Sequence, residues 1–195
     1  MKRAFDMVIA CLGLPCLAPL LLPVALLIKL DSPGPAMFKQ RRVGRGFRPF
    51  VIYKFRTMVH DAPRKGTAIT SSADPRITRV GRVLRQTKID ELPQLINVLQ
   101  GTMSLVGPRP EVPRYVELFR ADYAEILRVL PGITDLASIK YRHEAEFLGG
   151  FDNPEETYVR HVLPEKIKLA KEYVRQSSFL FDIRLILKTL VGLFR

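Results

Sequence analysis

The 195-residue sequence has little cysteine and is short of acidic side chains. Cys11 and Cys16 are its only cysteines, five apart inside an apolar stretch, which leaves no disulfide framework and no metal-ligand spacing. They read as small core or lipid-facing residues, the usual setting of free cysteine, in a reducing cytoplasm. Nineteen Asp and Glu face 31 Lys and Arg, giving a formal net charge of +12. That imbalance points to a polyanionic partner: nucleic acid, an anionic membrane surface or a phosphorylated substrate. Charge alone does not choose among them. Internal repeats, low-complexity tracts, a zinc pattern and a helix-turn-helix signature are all absent. Hydrophobic residues make up 47%, enough for one compact core and against global disorder.

Charge of either sign is also missing between residues 7 and 28, a run long enough to cross a bilayer as a helix. Its length, three prolines and the lack of a small-residue cleavage site argue against a signal peptide. Pro15, Pro19 and Pro23 recur every fourth residue, near one helix face, and break successive backbone hydrogen bonds. Both flanks are basic: Lys2 and Arg3 before the run, then Lys29, Lys39, Arg41, Arg42, Arg45 and Arg48. The positive-inside rule places both on the cytoplasmic side. A helix that enters one leaflet, bends at the prolines and leaves by the same face satisfies both constraints. A bent single span is the competing reading.

Beyond Pro33-Gly34-Pro35, alternating stretches at 36–43 and 49–58 flank the glycines at 44 and 46, which predicts a β-hairpin. Residues 59–74 read as a mobile loop. A basic helix is expected over 75–86, carrying Arg76, Arg79, Arg82 and Arg85, and a second helix over 90–100 with Pro93 in its first turn. Residues 103–106 form a short apolar strand or turn. Further helices are expected over 111–130 and 154–176, the latter open to a break at Pro164. The apolar segment 178–195 is either a core-packed helix or one lying in the membrane interface.

The stretch from Lys88 to Leu95 carries the densest chemistry. Adjacent carboxylates at a helix start often serve only as caps. On a helix Asp90 and Glu91 diverge by about 100°, so they do not share a proton as a facing pair. They can divide the work, one facing a phosphorus atom and the other holding a metal. A helix N-terminus favours an ionised carboxylate and binds phosphate. A carboxylate nucleophile would pass through an aspartyl phosphate, with Mg2+ screening the charge. Arg109, fixed between Pro108 and Pro110, suits bidentate phosphate binding. Lys54 and Arg56 share a strand face, and Arg85 lies about one turn before the carboxylates.

These pieces together resemble the bacterial sugar transferases, the monotopic phosphoglycosyltransferases. The motifs occur in order: Arg3-x-x-Asp6, Gly34-Pro35, Phe38-Lys39-Gln40-x-Arg42-x-Gly44 and Tyr53-Lys54-Phe55-Arg56-Thr57-Met58. Then come Asp90-Glu91-Leu92-Pro93-Gln94-Leu95-x-Asn97-Val98-Leu99, Met103-Ser104-Leu105-Val106-Gly107-Pro108-Arg109-Pro110, Pro131-Gly132-Ile133-Thr134 and Ser178-Phe179-Leu180-Phe181-Asp182. The resemblance implies an α+β fold: a re-entrant membrane helix over 1–32 and a catalytic domain over 33–195. That domain would mix helices with a β-hairpin and set amphipathic helices at the interface, on the cytoplasmic face of the bacterial inner membrane. Asp90 would attack the β-phosphate of a UDP-sugar, release UMP, and pass the phosphosugar to polyprenyl (undecaprenyl) phosphate. Glu91 would assist through Mg2+, with Asp90 and Glu91 as the metal ligands. Gln40, Arg42, Lys54, Arg56, Arg85, Pro108, Arg109, Pro110 and Asp182 form the implied substrate-binding set. Membrane lipids are implied partners, nucleic acid is not, and the oligomeric state stays open.

Three departures stand out. Ala18-Pro19 replaces the family's frequent Ser-Pro, Thr102 replaces its usual aspartate, and the segment 135–144 replaces its Gly-x-x-Gln-x-x-Gly-Arg, which leaves the donor sugar open. No additional membrane helices accompany the domain, as expected of a near-minimal form. The competing function is a membrane-anchored basic protein that binds anionic lipid or nucleic acid in a salt-sensitive way.

Overall fold

The structure, a computed structural model, describes residues 1–62, 65–67 and 69–193. Its first helix, α1 (Lys2–Asp31), keeps Pro15, Pro19 and Pro23 inside one continuous element. Only Asp6, Ala10, Val24 and Ile28 of α1 are buried, while Leu12, Leu20, Leu22, Leu26, Leu27 and Leu30 are exposed. Among the described residues it is the one helix long and apolar enough to cross a membrane. So many adjacent exposed leucines call for an apolar surrounding.

Both ends of α1 are tied to the rest of the molecule. Near its start, Lys2 donates to the Val106 carbonyl at 2.9 Å and pairs with Asp182. Arg3 donates to the Val98 carbonyl at 2.8 Å, and Asp6 accepts from Ser104 Oγ at 2.7 Å and Leu105 N at 3.3 Å. These bonds explain the Arg3-x-x-Asp6 spacing. At the far end, Asp31 accepts from the Val80 amide at 3.1 Å.

The hairpin forms as expected, with β1 (Met37–Val43) antiparallel to β2 (Pro49–Phe55) in the register Met37–Phe55 to Val43–Pro49. Gly46, at φ +65°, and Phe47, at φ +60°, supply the left-handed residues of the turn. The second strand ends three residues early, because Met58 bridges to Ile77 instead. That bridge also delays the basic helix: α2 (Arg79–Thr87) starts only at Thr78, whose hydroxyl caps the Gly81 amide at 3.0 Å. Between them Arg76 pins the segment expected to be a loop, donating to Asp74 and to the Ala62 and Thr67 carbonyls. Residues 63, 64 and 68 of that segment lie outside the described residues.

The expected helix over 90–100 is two pieces, a 3-10 turn Ile89–Gln94 and α3 (Leu95–Leu99). Lys88, at φ +59°, separates α2 from the turn. Next come β3 (Ser104–Val106), α4 (Pro113–Leu118) and α5 (Arg120–Ile126). The single helix expected over 111–130 therefore breaks at Phe119, which leaves helical geometry at φ −123° and ψ 38°. β4 (Gly132–Thr134) pairs in parallel with β3, a contact nothing in the local pattern announces. Short helices α6 (Leu136–Lys140), α7 (Glu144–Gly149) and α8 (Pro154–Thr157) follow. A wide turn, Tyr158–Val162, joins α8 to α9 (Leu163–Gln176). Pro164 falls in the first turn of α9 and breaks nothing. Finally α10 (Phe179–Leu193) contributes Leu185 to the core and leaves Leu180, Leu187, Leu190 and Val191 exposed. Residues 194 and 195 of the expected C-terminal segment lie outside the described residues. The architecture is α+β.

Candidate active site

The 3-10 turn lies against β2 and presents Asp90 and Glu91 on different sides. Glu91 meets two cations. Lys54 on β2 donates to its Oε1 at 2.9 Å, and Arg109 reaches Oε2 at 3.1 Å through one guanidinium nitrogen while the other pairs with Oε1. The backbone amide of Arg109 is itself held by Asp135 at 3.1 Å, and Asp135 also caps α6 through the Ser138 amide at 2.7 Å. Pro108 accepts from the Gly132 amide at 3.0 Å, so the β3–β4 pair anchors the proline-flanked arginine. Asp90 is 8% exposed, and its Oδ1 is buried with no hydrogen-bond partner.

The two carboxyls are driven apart electrostatically. Burial, reinforced by the charge on Glu91, pushes Asp90 up to about 6 against the pull of Lys54, Arg85 and Lys88. Burial works against the charge on Glu91 too, but Arg109 and Lys54 outweigh it and hold Glu91 well below the usual carboxylate range. Neighbouring acids with separated affinities are the pattern of divided chemical roles. The stabilised anion expected at a helix start does not appear at Asp90. A six-residue 3-10 turn offers little dipole, and desolvation prevails.

The two cations that hold Glu91 also line a small pocket with Arg42, Ile52, Gln94 and Pro110. Arg42 donates to the Pro110 carbonyl at 3.0 Å, and Gln40 orients it by accepting two of its N–H groups at 2.7 and 3.1 Å. Arg85 is fixed by Thr57 Oγ1 at 2.8 Å and acts on Asp90 through space. For a divalent cation, magnesium takes one or two carboxylates together with substrate phosphates and water. The unpartnered oxygen of Asp90 fits that demand. Glu91 fits it only by giving up a cation, and no cluster of three metal-type side chains occurs among the described residues.

The profile of the bacterial sugar transferases matches residues 1–195. The chain belongs to this family. It is 40% identical, over 97% of its length, to an Aeromonas hydrophila UDP-N-acetylgalactosamine-undecaprenyl-phosphate N-acetylgalactosaminephosphotransferase, of which the match covers 42%. A UDP-glucose:undecaprenyl-phosphate glucose-1-phosphate transferase of Caulobacter vibrioides is 41% identical over 98% of this chain and 69% of the relative. An exopolysaccharide production protein PSS of Rhizobium leguminosarum bv. phaseoli is 43% identical over 98% of this chain and 94% of the relative. The chain thus spans less than half of the Aeromonas protein.

In this sugar transferase family member, Gln40, Arg42, Lys54, Arg85, Asp90, Glu91, Pro108, Arg109 and Pro110 converge on one region. Arg56 and Asp182 do not join them. Arg56 is buried and turns to the end of α1, donating to the Ser32 carbonyl at 2.8 Å, the Ile28 carbonyl at 3.3 Å and the Pro33 carbonyl at short range. Alternation along β2 does put it on the face of Lys54, but four unpaired carbonyls at a helix C-terminus compete for a guanidinium. Asp182 has both oxygens engaged, by Lys2 and by the Tyr173 hydroxyl at 2.7 Å. Asn97, which the motif includes without a role, docks α3 on β2 by accepting from Tyr53 N at 3.0 Å and donating to the Val51 carbonyl at 2.7 Å. Gln94 of the same motif is likewise given no role there. A polar residue facing β2 in an apolar helical period was the available signal for both.

Proposed function

We propose that the chain transfers a sugar 1-phosphate from a UDP-sugar to undecaprenyl phosphate, releasing UMP. Family membership and the names of the Aeromonas and Caulobacter relatives supply the substrate classes. The observation that carries the reading is the buried, unpartnered carboxylate oxygen of Asp90 beside a Glu91 locked in its charged form.

In the first half-reaction an Asp90 oxygen attacks the β-phosphorus. A P–O bond forms, the bond to the bridging oxygen breaks, and UMP departs with that electron pair. Lys54 and Arg109, held in place by Glu91, balance the charge that builds on the leaving phosphate. In the second half an oxygen of undecaprenyl phosphate attacks the same phosphorus and returns the Asp90 carboxylate. Magnesium, when bound at Asp90 and Glu91, would screen the diphosphate.

The chain is membrane-associated through α1. We further propose residues 1–32 as a re-entrant segment and 33–195 as the cytoplasmic-face domain on a bacterial inner membrane. The bonds that tie both ends of α1 to one domain support this placement. Intact-mass analysis after mixing purified protein with a panel of UDP-sugars tests the chemistry. A phosphosugar adduct on Asp90, absent in Asp90→Asn, is the expected result. An Asp90→Asn protein that still releases UMP would overturn it. Salt-sensitive binding of any polyanion without UMP release would favour the basic binding module instead.

A further inference from the structure

Gln94 makes a demand that the transfer scheme above leaves unused. It closes the 3-10 turn three residues after Glu91, and residues three apart in such a turn are eclipsed, so the two share a face. Gln94 is only 1% exposed, and its Nε2 is buried without a hydrogen-bond partner. The cavity it lines carries Arg42, Lys54 and Arg109. A buried amide nitrogen without an acceptor is unfavourable, and a methionine would fill the same space without that cost. A donor in this place makes sense when an anion sits between it and the cations.

We infer that Gln94 is a substrate-binding residue whose Nε2–H donates to a phosphoryl oxygen of a phosphate group seated between Lys54 and Arg109. The inference rests on the proposed transferase reading and adds a residue to it. Two phosphates share the required chemistry: the nucleotide phosphate that leaves as UMP, and the phosphate of the lipid acceptor. Each is a phosphate monoester at one stage, UMP after its departure and undecaprenyl phosphate before its attack, with several acceptor oxygens that one neutral donor and two cations suit.

The test uses the full-length protein and its Gln94→Met and Gln94→Glu variants in three measurements. Thermal unfolding comes first: Met removes an unpartnered donor, so this variant is expected to melt at or above the wild-type temperature. UMP binding by calorimetry comes second, with a roughly tenfold to hundredfold loss expected for Met, the range for one hydrogen bond to a charged group. Glutamate, of equal shape, is expected to weaken binding further by repulsion. The third measurement separates the half-reactions: single-turnover adduct formation from a UDP-sugar, then its discharge by undecaprenyl phosphate. Loss confined to adduct formation and UMP binding assigns Gln94 to the nucleotide phosphate. Loss confined to discharge assigns it to the lipid phosphate. Wild-type rates in both halves with wild-type UMP binding overturn the inference, as does a loss that merely tracks a lowered melting temperature. If wild-type protein binds UMP in a Gln94-dependent way yet forms no adduct, the inference stands and the transferase reading falls.

Discussion

Asp90 and Glu91 are chain neighbours with opposite electrostatic surroundings, and their removal should have opposite effects on stability. Asp90 is raised from 3.8 to about 6 in the folded protein. A raised carboxyl favours folding below its unfolded value and loses that contribution as pH climbs through the folded one. At neutral pH the wild type therefore carries a penalty of up to roughly 3 kcal/mol. Asp90→Asn should melt higher than wild type at pH 8, with the gain vanishing near pH 4, while transfer is abolished. Glu91→Gln leaves Lys54 and Arg109 facing each other, and breaking a buried pair costs roughly 3–5 kcal/mol. Arg109 is a third exposed and rehydrates, so the lower end is expected in denaturant unfolding. In the proposed transfer the same Asp90 would set the rate. Below pH 6 its ionised fraction falls about tenfold per pH unit, so single-turnover UMP release should follow that slope, and a rate flat down to pH 5 would exclude the nucleophile role. Proline-flanked Arg109 and the paired acids were legible because each carries an unusual local pattern. The partners of Arg56 and Asp182 were not, since they are carbonyls and side chains brought in from distant segments.

Among the elements, the hairpin and the long apolar helix announced themselves through period and turn residues, and both formed within a few positions of expectation. Helix ends fared worse. Pro93 marked a first turn, but Lys88 in the left-handed region and Pro93 together tighten Ile89–Gln94 into a 3-10 turn, and only tertiary packing selects that. The β3–β4 pair joins two three-residue strands, too short for any alternation to show. Gly81 on α2 illustrates what local reading misses. A β-carbon there would lie 2.0 Å from the Thr57 carbonyl oxygen, so the helix meets the backbone that leads from β2. Gly81→Ala is expected to cost about 1–3 kcal/mol or more, since backbone yields less readily than side chains. Because Thr57 also holds Arg85, the same change should slow adduct formation. A variant with wild-type melting and rate would show that α2 shifts freely.

At the scale of the whole molecule, the position of α1 would decide how the proposed substrates, of opposite character, meet. A 30-residue helix is about 45 Å long, more than the roughly 30 Å of a bilayer's hydrocarbon core. As a straight span it would carry Lys2 to the far side of the membrane from the domain that follows Asp31. Yet Lys2, Arg3 and Asp6 bond to Val106, Val98, Ser104 and Leu105, while Arg56 and Val80 hold the other end. The two sets of bonds support the proposed placement of both ends on one side. An Ala4→Cys variant that also carries Cys11→Ser and Cys16→Ser should then resist an impermeant thiol reagent in intact cells and react after permeabilisation. Labelling from outside would break every Lys2, Arg3 and Asp6 contact named here and restore the single span. With both ends inside, as proposed, the exposed leucines of α1 would lie in the same leaflet that presents the proposed acceptor lipid. The phosphate of that lipid would reach Asp90 without crossing the membrane.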